Sequence, residues 1–148
     1  MGKQLKVLLI EDSENDALLL IHELERKGFE PEYERVNNAE DLKAALADKK
    51  WELILSDYKM PSFNGLEALK IIRSYGLDTP FIIVSGSIGE TMAVEAMKVG
   101  ANDYVMKGNL TRLVFTIERG LQQAEQRKKQ REEINELLRE LGREPRYE

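Results

Sequence analysis

The sequence predicts an α/β fold: a doubly wound, five-stranded parallel sheet with helices on both faces and an extended C-terminal helix. Three observations lead there. Five short apolar runs each give way to a helix-period pattern. The connections between them are short, and polar or turn-forming residues mark the ends of the runs.

Leu5 to Ile10 is the first buried-strand run, followed directly by Glu11-Asp12-Ser13. Asp12 or Ser13 can cap a helix starting near Glu14. Ala17, Leu18, Leu20, Ile21 and Leu24 give that helix its inward stripe, and Gly28 stops it. Tyr33 to Val36 is a weaker strand with two charged residues inside it. Asn38 caps a helix that turns Leu42, Ala45 and Leu46 inward. Trp51 is expected to cover the bottom of the sheet just before the central strand, Leu53-Ile54-Leu55. Asp57 stands where that run stops. Met60, Pro61, Asn64 and Gly65 then break the chain before a helix carrying Leu66, Leu69, Ile71 and Ile72, ending near Gly76. Pro80 opens the fourth strand, Phe81 to Val84, which delivers Ser85 at its end. Thr91 to Val99 forms the next helix, closed by Gly100, with Met92, Ala96 and Met97 along it. Asp103 to Met106 is a short fifth strand, with Lys107 just past it. Met92, Met97 and Met106 read as core filler.

Composition narrows the function classes. With 148 residues, 42% hydrophobic and 33% charged, the chain suits one soluble domain plus an extension. A net charge of −5 gives no reason to expect nucleic acid or an anionic membrane as partner. The chain has no cysteine, which excludes disulfides, thiolate metal sites and cysteine nucleophiles. No stretch approaches the roughly 18 apolar residues of a spanning helix, and no signal core follows Met1, so the expected location is the cytoplasm. His22, the single histidine, reads as a surface or boundary residue.

The candidate chemistry collects at one rim. Glu11, Asp12, Asp57, Ser85 and Lys107 follow the first, third, fourth and fifth strands, and parallel strands place those ends on one edge. Three carboxylates together are costly unless a hard cation neutralises them, and magnesium suits an all-oxygen set that also faces a phosphate. Lys107 supplies a second positive charge and Ser85 a hydroxyl donor to the same anion. These parts suit phosphoryl transfer, with Asp57 as the nucleophile. The bland alternative is an aspartate that merely ends a strand or caps the following turn.

Taken jointly, several motifs resemble the receiver domain of a two-component response regulator. They are the Glu11-Asp12 pair, Asp57-x-x-Met60-Pro61-x-x-x-Gly65, Ser85-Gly86, and Tyr104 three residues before Lys107. The resemblance covers roughly residues 4 to 122. It implies a flavodoxin-like receiver fold and phosphorylation of Asp57 by the phosphohistidine of a histidine kinase or phosphotransfer protein. It also implies Mg2+ held by Glu11, Asp12, Asp57 and the main-chain carbonyl of Lys59. Ser85 and Lys107 would grip the phosphoryl group. Tyr104 would couple with Ser85 to the surface built from the fourth helix, fifth strand and fifth helix, where a partner or output domain reads the change. Tyr104 could equally be a strand-end packing residue. Such a domain is a switch that assists its own phosphoryl transfer and loss rather than a turnover enzyme. A phosphatase of the haloacid-dehalogenase type would want an aspartate two residues after the nucleophile, where this chain has Lys59.

Two departures stand out. Receivers usually carry proline after the lysine, often with a cis bond, whereas Gly108 follows Lys107 here, so a trans bond is expected. Lys59 is placed to lean over the phosphoryl site and alter water access. Both leave room for an alternative: a constitutive dimeric scaffold with a receiver fold that takes no phosphate.

The last helix begins around Leu110, and the expected division is a receiver at 1–122 and a helical extension at 123–148. A heptad started at Leu110 runs through Ile117, Ala124, Arg131 and Leu138, with Leu113, Gly120, Arg127, Ile134 and Leu141 at the other seam position. Beyond Glu125 the helix is expected to outrun the domain. From Glu118 to Glu148 basic and acidic residues balance, which argues against a DNA-binding arm. The extension reads either as a solvated helix that frays or as a coiled-coil homodimer or connector. Gly142 and Pro145 end it, and the last residues read as disordered. The segments VSGSIGE and DYVMKGNL resemble receivers at the amino end of hybrid sensor proteins, which raises the expectation of a C-terminal output domain outside these residues.

Overall fold

Strands and helices alternate through the whole chain. A computed structural model describes residues 2–86 and 89–144. In order they form β1 (Lys3–Ile10), α1 (Glu14–Arg26), β2 (Phe29–Val36), α2 (Ala39–Asp48), β3 (Leu53–Ser56), α3 (Gly65–Ser74), β4 (Phe81–Ser85), α4 (Glu90–Val99), β5 (Asp103–Met106) and α5 (Leu110–Glu140). The strands make one sheet in the order β2-β1-β3-β4-β5, every neighbouring pair parallel. The expected doubly wound, flavodoxin-like fold is what the chain adopts.

Both faces of the sheet are buried because successive strand residues face different helices. From β1, Leu8 and Ile10 join a cluster with Leu42, Leu69, Ile72 and Ala96, beneath α2, α3 and α4. Leu5, Val7 and Leu9 join Leu20, Leu24, Leu113 and Ile117, beneath α1 and α5. Ser13, Asn38, Asn64 and Asn109 each accept a hydrogen bond from a first-turn backbone N–H of the helix they precede. Trp51 is buried, as expected, and its indole N–H donates to the Ala45 carbonyl. The site is fixed by topology. Strand order reverses between β1 and β3, so the crevice for a ligand opens beyond their carboxyl ends.

Some expectations need correction. Met92, Met97 and Met106 are not core filler: they are 40%, 43% and 41% exposed. α4 turns the small Ala93 and Ala96 inward instead, and β5 is an edge strand whose Tyr104 and Met106 face out. Leu18 is likewise 47% exposed, since Ala17, Leu20, Ile21 and Leu24 already fill the inner stripe of α1. β2 begins at Phe29 rather than Tyr33. Pro31 is tolerated within it because β2 lies at the sheet edge.

α5 is one continuous helix of 31 residues, about 46 Å long at 1.5 Å per residue. Leu113, Val114, Ile117 and Gly120 bury its first half. The helix does run past the main core, yet the body still meets it. Arg127 lies 3.3 Å from the Asp78 carboxylate, and Arg131 pairs with the same group. Gly142, at φ 73°, follows the helix end, whereas Pro145 and the residues after it lie outside the described part. Every peptide bond among the described residues is trans, Lys107–Gly108 included, as expected before a non-proline residue. No helix among them is long and apolar enough to cross a membrane.

Candidate functional site

The crevice at the β1/β3 switch point is built from strand ends. At the end of β1, the Glu11 N–H donates to the Val36 carbonyl at 3.0 Å, which continues the ladder one residue past the strand. The Asp57 N–H, one residue past β3, donates to the Ile10 carbonyl at 2.8 Å. These two backbone bonds hold both carboxylates at one rim. Asp12 joins them on the exposed side, and ligand oxygens of Glu11, Asp12 and Asp57 lie within 4.8 Å of one another.

The turn after β3 is fixed just as tightly. Asp57 Oδ1 accepts from the Tyr58 N–H at 2.7 Å, while Ser56 Oγ donates to the Asp57 carbonyl at 2.8 Å. Buried Phe63 pins the loop, and Asn64 with Glu67 forms a capping box that starts α3. Lys59 is exposed, and Met60 is half-buried.

Lys107 enters from the end of β5, where its N–H donates to the Ser85 carbonyl at 2.9 Å. Its ammonium lies 3.3 Å from Asp57 Oδ2, 3.2 Å from Glu11 Oε2 and 2.6 Å from Asp16 Oδ2. Burial works against that charge. The hydrogen bond to Asp16 and the charges of Glu11 and Asp57 outweigh it, so the Lys107 pKa is raised and the group stays cationic. Glu11 shows the opposite balance. Burial, with the nearby Asp57 charge adding to it, pushes its carboxyl up to about 7, against the Ser13 N–H and Lys107. Glu11 Oε1 accepts from Ser13, while its buried Oε2 faces the Lys107 ammonium at 3.2 Å without a well-formed hydrogen bond. A buried carboxylate oxygen with an unused acceptor site, among three hard oxygen donors, fits a small divalent cation such as Mg2+. Ser85 is buried at the end of β4, bordering the same rim.

The structure thus brings together Glu11, Asp12, Asp57 and Lys107, with Ser85 beside them. Tyr104 sits apart. It pairs with Ile83 across the sheet, and its ring is exposed on the outer face beside Ala93, Val94 and Met97. Its carbonyl accepts from Arg112 at 2.6 Å, and Arg112 also reaches the buried Asp103 carboxylate, as does Arg119 at 2.6 Å. Asp16 is the residue that sequence reasoning missed. It lies in the first turn of α1, and no local pattern in the sequence ties it to Lys107, 91 residues away.

Comparisons with known proteins agree with this geometry. The family model described as the response regulator receiver domain matches residues 7–118. The chain is similar to the regulatory protein AtoC of Escherichia coli (strain K12), 33% identical over 118 residues that make up 79% of this chain but 25% of that protein. It is also similar to the chemotaxis protein CheY1 of Helicobacter pylori, 28% identical over 70% of this chain and 85% of the relative. Among solved structures, the signal receiver domain of a signal transduction histidine kinase from Syntrophus aciditrophicus superposes with a TM-score of 0.66 at 26% identity, covering 80% of this chain and 90% of that one. The chain spans half or less of the length of the first curated relatives it matches. With the family model covering most of the chain, and with this sheet order and rim, the chain belongs to the response regulator receiver family.

Proposed function

We propose that this chain is a phosphorylation-dependent signalling switch in a two-component phosphorelay, with Asp57 as the phosphoacceptor. The observation that supports it most is the convergence of Asp57 with Glu11, Asp12 and Lys107 at the switch-point crevice. An Asp57 carboxylate oxygen attacks the phosphorus of a partner's phosphohistidine, forming the O–P bond as the P–N bond breaks. The imidazole nitrogen keeps the electron pair and takes up a proton. Glu11, Asp12, Asp57 and the Lys59 carbonyl would hold Mg2+. That ion, when bound, neutralises charge on the transferring group. Lys107 and Ser85 orient the phosphoryl oxygens, Lys107 as a point charge that stays protonated.

Ser85 and Tyr104 relay the change to the α4-β5-α5 face, where Val94, Met97, Tyr104, Met106 and Phe115 are exposed to a partner. The receiver occupies 1–122, and 123–148 is the extension that leads to an output module or pairs with a second copy. Incubation with acetyl phosphate and Mg2+ should give one hydroxylamine-labile acyl phosphate per chain. Uptake of none by the folded protein would favour the constitutive scaffold instead.

A further inference from the structure

We propose that Asp16 is the residue that positions Lys107 at the phosphoryl site once a divalent cation has engaged the other carboxylates. The inference rests on the switch reading and adds a residue to it. Lys107 Nζ touches three carboxylates, and the shortest contact, 2.6 Å, is to Asp16 rather than to Asp57 or Glu11 at 3.3 and 3.2 Å. Glu11 and Asp57 belong to the cluster that suits a cation; Asp16 does not. Glu11 and Asp57, turned to a cation, have less negative charge to offer an ammonium, and the cation itself repels it. Asp16 lies outside that cluster and stays available to Lys107. It is also firmly held: its backbone N–H is bound by the Ser13 side chain in the first turn of α1.

The local backbone gives Asp16 this task. Gly108 follows Lys107, nothing lies within 4 Å of where its Cβ would be, and the bond between them is trans. Neither ring nor side chain after Lys107 restricts its approach to the rim. The restraint comes from across the crevice, where α1 presents Asp16. Lys107 has three N–H donors, so it can keep Asp16 while donating to a phosphoryl oxygen.

The test uses the full chain and its Asp16→Asn and Asp16→Glu variants, with Mg2+ and beryllofluoride, a tetrahedral phosphoryl mimic. Asp16→Asn should change Mg2+ affinity, measured by calorimetry, less than about threefold, because Asp16 is no ligand. It should weaken beryllofluoride binding about tenfold by releasing Lys107, with partial recovery in Asp16→Glu. In the Mg2+-loaded wild type, the Lys107 ε-ammonium should give a slowly exchanging 15N NMR signal that Asp16→Asn abolishes. Unchanged beryllofluoride affinity and an unchanged Lys107 signal in Asp16→Asn would overturn the proposal. If the wild type binds no beryllofluoride, the switch reading fails, and the Lys107 signal still decides whether Asp16 places the ammonium.

Discussion

Gly65 lies against the main-chain carbonyl of Asp57: a Cβ there would come within 2.6 Å of that oxygen and 3.2 Å of the Tyr58 Cα. Both opposing atoms are backbone, so neither can swing aside. Gly65 also donates its N–H to the Tyr58 carbonyl at 2.9 Å, which closes the turn that presents Asp57. Gly65→Ala should therefore cost about 1–3 kcal/mol in urea melts through overpacking. It should weaken Mg2+ binding at the same time, because the Asp57 carbonyl must shift. Wild-type values for both would show that the turn has slack.

Glu11 makes the metal-free protein sensitive to pH. Its carboxyl titrates near 7 when folded and near 4.5 when unfolded, so between those values the folded state holds a proton that the unfolded chain has released. Stability in EDTA should therefore fall as pH rises from about 4.5 to 7, by an amount on the order of 1–3 kcal/mol. Glu11→Gln should flatten that slope and raise stability at pH 8. A cation needs the ionised carboxylate, so apparent Mg2+ affinity should rise with pH up to about 7. An equal slope in Glu11→Gln, measured by denaturant melts at pH 5 and 8, would assign the effect elsewhere.

Arg73 ties together the opposite end of the sheet. Its half-buried guanidinium donates to the carbonyls of Leu77, Thr79 and Gly100 and to Asn102 Oδ1. Asn102 Oδ1 in turn accepts from the Phe81 N–H. A lysine cannot present a planar fork of donors, so Arg73→Lys should destabilise by about 2–4 kcal/mol. Acetyl phosphate uptake below the melting transition should be unchanged, since the rim lies at the other end of the strands. Loss of uptake in a folded Arg73→Lys protein would show coupling between the two ends.

The extension should behave as a weakly held lever. Truncation after Gln123 removes Arg127, Arg131 and the buried Asn135 but none of the core residues Leu113, Val114, Ile117 and Gly120. The exposed pairs with Asp78 contribute about 1 kcal/mol or less. The shortened chain should stay folded and competent for phosphorylation. In the full chain, Asp78→Ala should raise amide exchange from residue 124 onward and leave the sheet unchanged. An unfolded truncation product would make the extension part of the core.

Much of this was legible in the sequence because the signals were local. Ser13 and Asn38 marked helix starts by cap chemistry, and the runs before Glu11, Asp57 and Ser85 marked strands by apolar length. The rim followed from topology, since parallel strand ends meet wherever they lie in the chain. What failed was orientation. Met92 and Met97 fit an inward stripe by spacing, yet α4 buries Ala93 and Ala96 and leaves both methionines exposed. Asp16 was missed for a related reason: it meets Lys107 across the crevice, 91 residues away, and no local pattern marks that encounter.

The most direct test of the central claim is the intact mass of the wild type and Asp57→Asn after incubation with acetyl phosphate, with and without Mg2+. The expected result is one phosphoryl adduct on the wild type, dependent on Mg2+, and none on Asp57→Asn. An adduct that persists in Asp57→Asn, or no adduct on a folded wild type that binds Mg2+, would contradict the assignment of Asp57 as phosphoacceptor.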